Sequence, residues 1–251
     1  EIVNSYYDKL VICCANQLGV HTDLNIWAQK LLQFNLPVMI IGIGAQADKI
    51  GDIPKLPEGT LNFLDAVNTL RSNPEVSNII TRGNFTSLVL KNYGYESLPF
   101  GCPSLLTSSE VKLGFKCLTR QDTRLYGRIA IAGGNPWHHQ SSFLEKKLTS
   151  MVEMFNGEYI LQHPLVMFQL ANDSYHDMSE NQINHIQKIY SNLGSIKEIS
   201  NWFQSYGTYF VDAPNWMRFY NKFNHVIGPR YHGVALGIQA GIPVKVIAID
   251  S

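Results

Sequence analysis

Charged residues are scarce in this chain, and their signs cancel. Only 16% of its 251 residues are charged, with 20 basic and 20 acidic side chains and a formal net charge of zero. A chain without a basic excess has no overall field that attracts nucleic acid or an anionic membrane. Hydrophobic residues make up 45% of the sequence, which is typical of a folded globular protein. We therefore expect no nucleic-acid partner, and any selectivity for an anion must come from a local site.

Long apolar runs are also missing. The longest covers residues 36–43, whereas a membrane-spanning helix needs about 20 apolar residues. The first residues lack the organisation of a signal peptide, so we expect a cytoplasmic protein without a transmembrane segment. The sequence begins at Glu1 rather than Met and stops at Ser251 directly after a predicted strand. We expect it to be part of a longer protein whose other segments could carry targeting signals.

Cysteine is rare, and no pair has the spacing of a metal or redox motif. The four cysteines are Cys13, Cys14, Cys102 and Cys117, with no C-x-x-C pair among them, which argues against a structural zinc site or a redox dithiol. Cys13 and Cys14 lie in an apolar run, where free thiols behave as small buried hydrophobic groups. We expect reduced cysteines and no metal site.

Apolar strands alternate with amphipathic helices along the chain. The predicted strands cover residues 10–15, 38–43, 78–81, 96–100, 128–132, 159–162, 209–211, 225–227 and 244–249. The predicted helices cover residues 24–34, 60–70, 85–93, 142–155, 180–193, 196–205, 215–223 and 234–240. This alternation, given twice, predicts an α/β protein with two doubly wound, Rossmann-like parallel sheets.

The pattern lapses over residues 107–126, which we interpret as the crossing between two domains. The predicted domains are residues 1–115 and residues 116–251. In doubly wound sheets the ligand lies beyond the carboxyl ends of the strands. Functional residues are therefore expected directly after each strand.

The turn at residues 228–233 has the sequence GPRYHG and joins a predicted strand to a predicted helix. It places Arg230 and His232 at the helix N-terminus, where free N–H groups and the helix dipole favour negative charge. Gly241 stands where the helix should end. The turn predicts an anion site, and the alternative is a structural turn in which Arg230 pairs with a carboxylate and His232 caps the helix.

Other polar residues follow strands in the first half. Arg82 comes after the strand at 78–81 and enters a helix as Arg230 does, although a solvated or ion-paired arginine is the alternative. Gln46 ends the loop GIGAQ, which is not a dinucleotide-binding G-x-G-x-x-G fingerprint. Asn16, His21 and Asp23 follow the first strand and have groups suited to sugar hydroxyls.

In the second half, residues 133–139 occupy the equivalent place with the sequence GGNPWHH. The adjacent His138 and His139 suggest a metal, but neighbouring side chains in a loop seldom chelate an ion without further ligands. A loop that lines a substrate site is the interpretation we favour over a metal site.

The motif at residues 228–233, followed by GIPV at 241–244 and Asp250, resembles the polysaccharide pyruvyl transferase family. Arg82 with its helix, GCPSLL at 101–106, GIGAQ at 42–46 and the segment 212–216 are similar to family patterns in the same order. The glycine-rich opening turn and the basic residue near the end that the family often has are not present in this chain. The resemblance runs from about residue 9 to residue 250.

This resemblance implies a GT-B-like fold, with a ligand cleft between its domains, that transfers a pyruvyl group from phosphoenolpyruvate to sugar hydroxyls and releases phosphate. It assigns Arg230, Tyr231, His232 and Gly233 to the phosphoenolpyruvate site, with Arg82 completing it from the other domain and Arg230 and His232 catalytic. It implies phosphoenolpyruvate as co-substrate without a further cofactor. The acceptor, a glycan or lipid-linked sugar that could bring the protein to a membrane, is expected at Asn16, His21, Asp23 and Gln46.

Two other functions compete with this interpretation. A nucleotide-sugar glycosyltransferase of the same fold often has acidic residues in the last-domain helix for ribose or sugar hydroxyls, and residues 234–240 have none. A catalytically silent glycan-binding relative is the second alternative. The presence of both Arg230 and His232 argues against a silent protein.

Overall fold

The chain folds into two compact α/β units. The computed structural model describes residues 2–47, 49, 51–121, 127–138 and 142–248. The units are Glu1–Pro103 and Ser104–Ser251. Each contains one parallel five-stranded sheet, and the described residues form eleven α-helices. None of these helices has the length and apolar character needed to span a membrane.

The sheet of the first unit has the strand order β1-β3-β4-β5, and β2 pairs with β3 beyond the end of β1. Its strands are β1 (Leu10–Cys13), β2 (Asn16–Leu18), β3 (Val38–Ala45), β4 (Ile79–Thr81) and β5 (Leu98–Pro99). Its helices are α1 (Ile2–Tyr6), α2 (Asn25–Leu31), α3 (Glu58–Thr69) and α4 (Asn84–Asn92), and a 3₁₀ helix, Pro103–Leu106, follows β5.

The core of the first unit forms where α2, α3 and α4 cover β3 and β4. Ile40 and Ile43 of β3, Leu64 of α3 and Leu90 of α4 are fully buried in one apolar cluster. β1 lies at the edge of the sheet, and Cys13 at its end is exposed whereas Cys14 is partly buried. The expectation of two buried thiols was therefore wrong for Cys13, because neighbouring side chains of a strand point to opposite faces.

The second unit has the strand order β10-β9-β6-β7-β8, again with every pairing parallel. Its strands are β6 (Ile129–Ala132), β7 (Glu158–Ile160), β8 (Gly207–Thr208), β9 (His225–Gly228) and β10 (Val244–Val246). Its helices are α5 (Leu113–Gln121), α6 (Glu145–Met154), α7 (Leu165–Ala171), α8 (Glu180–Ile189), α9 (Ile196–Tyr206), α10 (Ala213–Tyr220) and α11 (Tyr231–Gln239). Short 3₁₀ helices cover Ser142–Leu144 and Tyr175–Asp177.

Local signals explain where several of these helices begin and end. Ser179 forms a capping box with Gln182 at the start of α8, and Pro214 lies in the first turn of α10. After α11, Gly241 has φ +74°, its N–H bonds to the Ile238 carbonyl, and the next N–H bonds to the Gly237 carbonyl. This is the Schellman arrangement. The predicted helix end at Gly241 is thus confirmed.

The described part of the predicted crossing at residues 107–126 contains the helix α5. The Cys117 thiol lies against the carbonyl oxygens of Ile238 and Ile242, and the Ser108 N–H donates to Gln239 Oε1 at 2.8 Å. These contacts join α5 and the segment before it to α11 within the second unit. The unit accordingly begins at residue 104, whereas the sequence placed the boundary after residue 115.

Two predicted strands also need correction. The strand expected at residues 209–211 is Gly207–Thr208, because α9 leads straight into the sheet and the chain has left it before residue 209. The strand expected at 244–249 ends at Val246 within the described residues, and residue 249 lies outside them. The sequence also gave no indication of α1 and α7.

We expect Gly228→Ala to destabilise the second unit by about 1–3 kcal/mol, because the new methyl group would overpack the centre of the sheet. A Cβ at Gly228 would lie 2.1 Å from the carbonyl oxygen of Ala132 on the neighbouring strand. Thermal unfolding measures the effect, and Gly114→Ala is the matched control because its Cβ would meet nothing within 4 Å. Equal unfolding midpoints for the two variants would contradict this account of the sheet.

Candidate functional site

The turn between β9 and α11 presents Arg230, Tyr231 and His232 at the carboxyl edge of the second sheet. Arg230 is the N-cap residue of α11, and Tyr231 and His232 form the start of its first turn. No side chain caps this helix, and its first turn contains no acidic residue. The positive end of the helix dipole is therefore not offset by a carboxylate of its own first turn. The predicted location of both residues at a helix N-terminus is confirmed.

The side chain of Arg230 is partly buried. Nη1 is buried and makes no hydrogen bond to any described residue. Burial lowers the pKa of Arg230, and the nearby Tyr159 acts in the opposite direction, yet a guanidinium stays protonated in proteins. Leaving a buried charged donor unsatisfied costs about 1–3 kcal/mol or more. An oxyanion bound here would remove that cost.

Gly233 lets α11 approach the sheet closely. A Cβ at this position would lie 2.8 Å from Ala132 Cβ and 2.9 Å from Gln162 Nε2. The Tyr220 hydroxyl, itself buried, donates to the Gly233 carbonyl at 3.0 Å, and Gln162 Nε2 donates to the Gly133 carbonyl at 2.9 Å. Tyr220 thus holds the first turn of α11, and Gln162 holds the neighbouring loop after β6. The sequence did not single them out, although Gln162 follows β7 as the strand-end rule requires.

Tyr231 and His232 are exposed. Their rings meet edge to face, with centroids 5.7 Å apart, and Tyr231 keeps 48% of its surface accessible. Both side chains can therefore reach a ligand at the N-terminus of α11. His232 is the imidazole on this turn that could transfer a proton.

The loop after β6 is fixed by an aromatic stack. Trp137 packs on His185 of α8 with centroids 4.6 Å apart, while a ring nitrogen of His185 lies 3.0 Å from the Pro136 carbonyl. His138 is exposed, and His139 lies outside the described residues. Within the described ranges, no group of three or more His, Cys, Asp or Glu side chains has the arrangement of a metal site.

In the first unit, three neutral oxygen atoms hold Arg82. Its Nε donates to the Gly42 carbonyl at 2.7 Å, Nη1 to Asn16 Oδ1 at 3.1 Å and Nη2 to the Cys14 carbonyl at 3.3 Å. No described carboxylate forms a salt bridge with it. The guanidinium is therefore fixed in place while its charge is not neutralised. A guanidinium has five N–H donors, so two remain for a ligand.

Gly44 explains how Asn16 and Arg82 come together. A Cβ on Gly44 would lie 2.2 Å from Asn16 Oδ1 and 3.2 Å from Arg82 Cδ, so a side chain at this position would displace both. Gly42, two residues earlier, has φ +75°, a conformation that favours glycine. The predicted loop GIGAQ is instead mostly strand, since β3 runs to Ala45, but its glycines do allow a close approach, and what approaches within this unit is Asn16 together with Arg82.

The four predicted acceptor residues do not all cluster. Asn16 and His21 are adjacent, since a ring nitrogen of His21 lies 3.0 Å from the Asn16 carbonyl, and the Gln46 N–H bonds to Leu18 of the same segment. Asp23 instead accepts the Asn25 N–H at 2.8 Å and lies against Gly59 at the start of α3. Asp23 therefore organises the start of α2, which gives it a structural task that the sequence did not predict.

We expect Cys14 to resist alkylation by iodoacetamide at pH 8 while Cys13 reacts. Burial raises the pKa of Cys14 to about 11, Cys13 adds to the rise, and Arg82 acts in the opposite direction. The thiolate is the reactive form, so Cys14 stays a protonated thiol until the pH approaches that value, whereas Cys13 is exposed. Mass spectrometry of the Cys13→Ala and Cys14→Ala variants, each of which keeps one of these two thiols, measures the extent of labelling. Equal labelling would show that Cys14 is not buried.

Comparison with known proteins shows the family of the chain. No curated protein and no solved structure gives a significant match to the chain. The model of one protein family, polysaccharide pyruvyl transferase, matches residues 2–251. This match covers the Arg82 and Arg230 turns together and confirms the resemblance seen in the sequence motifs. The chain belongs to the polysaccharide pyruvyl transferase family.

Proposed function

We propose that this protein transfers the pyruvyl group of phosphoenolpyruvate onto two hydroxyls of a sugar in a glycan or lipid-linked precursor, with release of phosphate. Membership of the family supports a pyruvyl transferase acting on a polysaccharide. The observation that carries the choice of donor is the buried, unpartnered Nη1 of Arg230 at an uncapped helix N-terminus. That arrangement suits an anionic oxygen.

Phosphoenolpyruvate fits the chemistry of this turn because it is small and carries both a phosphate and a carboxylate. Arg230 would hold one oxyanion through its guanidinium, and the backbone N–H groups of Tyr231, His232 and Gly233 would face the ligand from the first turn of α11. Arginine suits such groups because its planar fork matches carboxylate and phosphate oxygens. The donor site would thus be formed by residues 230–233.

His232 would supply the proton that the reaction needs. In its imidazolium form it would protonate the methylene carbon of phosphoenolpyruvate while one sugar hydroxyl adds to the adjacent carbon. The second hydroxyl would then displace phosphate at that carbon. One of the two hydroxyl protons would restore His232, and the other would leave with phosphate. An alternative within the same scheme is that His232 protonates the departing phosphate.

The acceptor is proposed to bind in the first unit. Asn16, His21 and Gln46 lie beside the end of β3, and their amide and imidazole groups can bond to sugar hydroxyls. Asp23 belongs to this set by the sequence prediction, and its bond to the Asn25 N–H leaves its second carboxylate oxygen for a hydroxyl. The cytoplasmic location and the GT-B arrangement of the family resemblance stay predictions.

A nucleotide-sugar glycosyltransferase is the competing function. Such enzymes commonly use acidic side chains for ribose or sugar hydroxyls, and α11 has none. Isothermal titration calorimetry with phosphoenolpyruvate and a panel of nucleotide sugars separates the two functions, followed by phosphate release in the presence of glycan acceptors. We expect binding of phosphoenolpyruvate. Tight binding of a nucleotide sugar with none of phosphoenolpyruvate would overturn the proposal, and binding without turnover would favour a silent relative.

We expect Arg82→Ala to weaken phosphoenolpyruvate binding by about tenfold, the effect of losing one charge-assisted hydrogen bond. The matched control is Arg71→Ala, since Arg71 makes a single local bond to the Asn68 carbonyl at 3.1 Å. That Arg82 and Arg230 act on one ligand stays a prediction, which a double-mutant cycle tests. Strictly additive losses would argue that the two arginines bind different groups.

A further inference from the structure

A carboxylate is buried in the second unit, and the proposed reaction does not use it. Glu145, the first residue of α6, is 0% exposed. Its Oε2 accepts the hydroxyl of Tyr190 at 2.9 Å and the hydroxyl of Tyr159, and both tyrosines are fully buried. A buried carboxylate is expensive to keep in a core. Simple packing of α6 would be served as well by an apolar residue.

The carboxylate faces the loop after β6. Glu145 Oε1 is buried and makes no hydrogen bond to a described residue. A Cβ on Gly134 would lie 2.3 Å from this oxygen, so the Gly134 backbone crosses directly over it. A Cβ on Gly133 would lie 2.2 Å from the ring of Tyr159. The two glycines therefore rest on the Glu145 carboxylate and on Tyr159.

Burial raises the pKa of Glu145, while the Tyr159 and Tyr190 hydroxyls and the Gly134 N–H act in the opposite direction. The backbone of Gly134 also lies directly against Oε1 of this carboxylate. A substitution that changes the charge or the acceptor atoms of Glu145 should therefore alter the backbone at Gly134 before other positions. Such a response would not be expected of a side chain that only fills space.

Two contacts connect this cluster to the loop after β6 and to Arg230. A Cβ on Gly134 would lie 3.3 Å from Pro229 Cγ, and Pro229 is the buried residue immediately before Arg230. The Tyr159 ring lies against Gly133 of the same loop. The path from Glu145 to Arg230 therefore runs through Gly134 to Pro229, and Tyr159 supports the neighbouring Gly133.

We propose that Glu145 is a positioning residue for the anion site, acting through Gly134 and Tyr159 to set the place of Pro229 and Arg230. The value of this role for catalysis rests on the proposed function. The positioning itself does not, because it concerns the geometry of the unliganded turn. Ser200 serves as the comparison, because its buried hydroxyl bonds to the Leu170 carbonyl at 2.7 Å and so links α9 to α7 instead.

The test compares Glu145→Gln with Ser200→Ala by hydrogen–deuterium exchange. Glutamine keeps the size of the side chain but has a single acceptor oxygen. It therefore cannot accept from both tyrosine hydroxyls and also place an oxygen against the Gly134 N–H. We expect exchange of the peptides that contain Gly133 and Val234, whose N–H groups bond to the Ile160 and Arg230 carbonyls, to rise by about tenfold in Glu145→Gln, as when a local hydrogen-bonded network is weakened. Ser200→Ala should leave these peptides unchanged while it lowers overall stability.

Tyr159→Phe provides a second variant in case Glu145→Gln does not fold, because it removes a single hydroxyl from the same cluster. It should raise exchange in the same two peptides. Unchanged exchange of the peptides that contain Gly133 and Val234 in each variant that folds would overturn the positioning role. Kinetics add a second readout: the KM for phosphoenolpyruvate should rise more than kcat falls in Glu145→Gln. If wild-type protein failed to bind phosphoenolpyruvate, the proposed donor would be wrong, and exchange would still decide the role of Glu145.

Discussion

Replacing Arg230 with alanine is expected to weaken phosphoenolpyruvate binding by about 10- to 100-fold, because a hydrogen bond between charged groups contributes about 1.5–3 kcal/mol. The buried Nη1 of Arg230 has no partner among the described residues, so a bound oxyanion would gain an interaction without breaking an existing one. Isothermal titration calorimetry of the wild type and the variant measures the loss.

Two further variants make this result specific. Arg218→Ala removes the same charge from the same unit, and Arg218 is exposed and bonds to Asn215 Oδ1 at 2.6 Å, so it should leave the affinity unchanged. Arg230→Lys should recover little of it, because an ammonium group lacks the planar fork of arginine. If alanine at position 230 left the affinity unchanged, the anion site would have to be sought elsewhere, even in an active enzyme.

Replacing His232 with asparagine is expected to lower kcat by about 10²- to 10⁴-fold, which is the usual contribution of a general acid. Asparagine keeps a polar side chain at the start of α11 but cannot carry the proton. The affinity for phosphoenolpyruvate should fall much less than kcat, since Arg230 and the helix N-terminus remain. Phosphate release at saturating phosphoenolpyruvate and acceptor measures the first quantity, and calorimetry measures the second.

His225 provides the matched control for this variant. It belongs to β9, on the strand that leads into the same turn, and burial together with Lys245 lowers its pKa. His225→Asn therefore removes an imidazole from the same unit without touching the helix N-terminus. A similar loss of kcat in both variants would indicate a general effect on folding, and an unchanged kcat in His232→Asn would exclude it as the acid.

Most of the fold could be predicted from sequence because buried parallel strands are short apolar runs separated by amphipathic helices. α5 was missed for a physical reason: its contacts are made by Cys117 and Lys116 with the end of α11, and its outward face includes the exposed Phe115 and Leu118. The burial of α5 therefore does not follow the apolar positions of its sequence. Strand ends were misplaced where a helix runs directly into the sheet, as at Gly207.

The candidate site rests on rules that can be applied to the sequence alone. Arg82 and Arg230 were found because each follows a strand and enters a helix, and glycines marked the close approaches. Three other features depend on distances between residues far apart in sequence or on side-chain direction. They are the Nη1 of Arg230 that has no partner among the described residues, the bond of Arg82 to Asn16 and the bond of Asp23 to the Asn25 N–H. Glu145 was missed because a glutamate at the start of a helix ordinarily faces solvent.

The three neutral oxygens around Arg82 have a consequence for conformational entropy. A free arginine side chain has about 2 kcal/mol of rotamer entropy to lose when it becomes ordered. In this protein the carbonyls of Gly42 and Cys14 and the amide of Asn16 order the side chain when the first unit folds. A ligand that meets Arg82 therefore finds its guanidinium already immobile, and the loss of rotamer freedom lowers the stability of the fold rather than the affinity for the ligand.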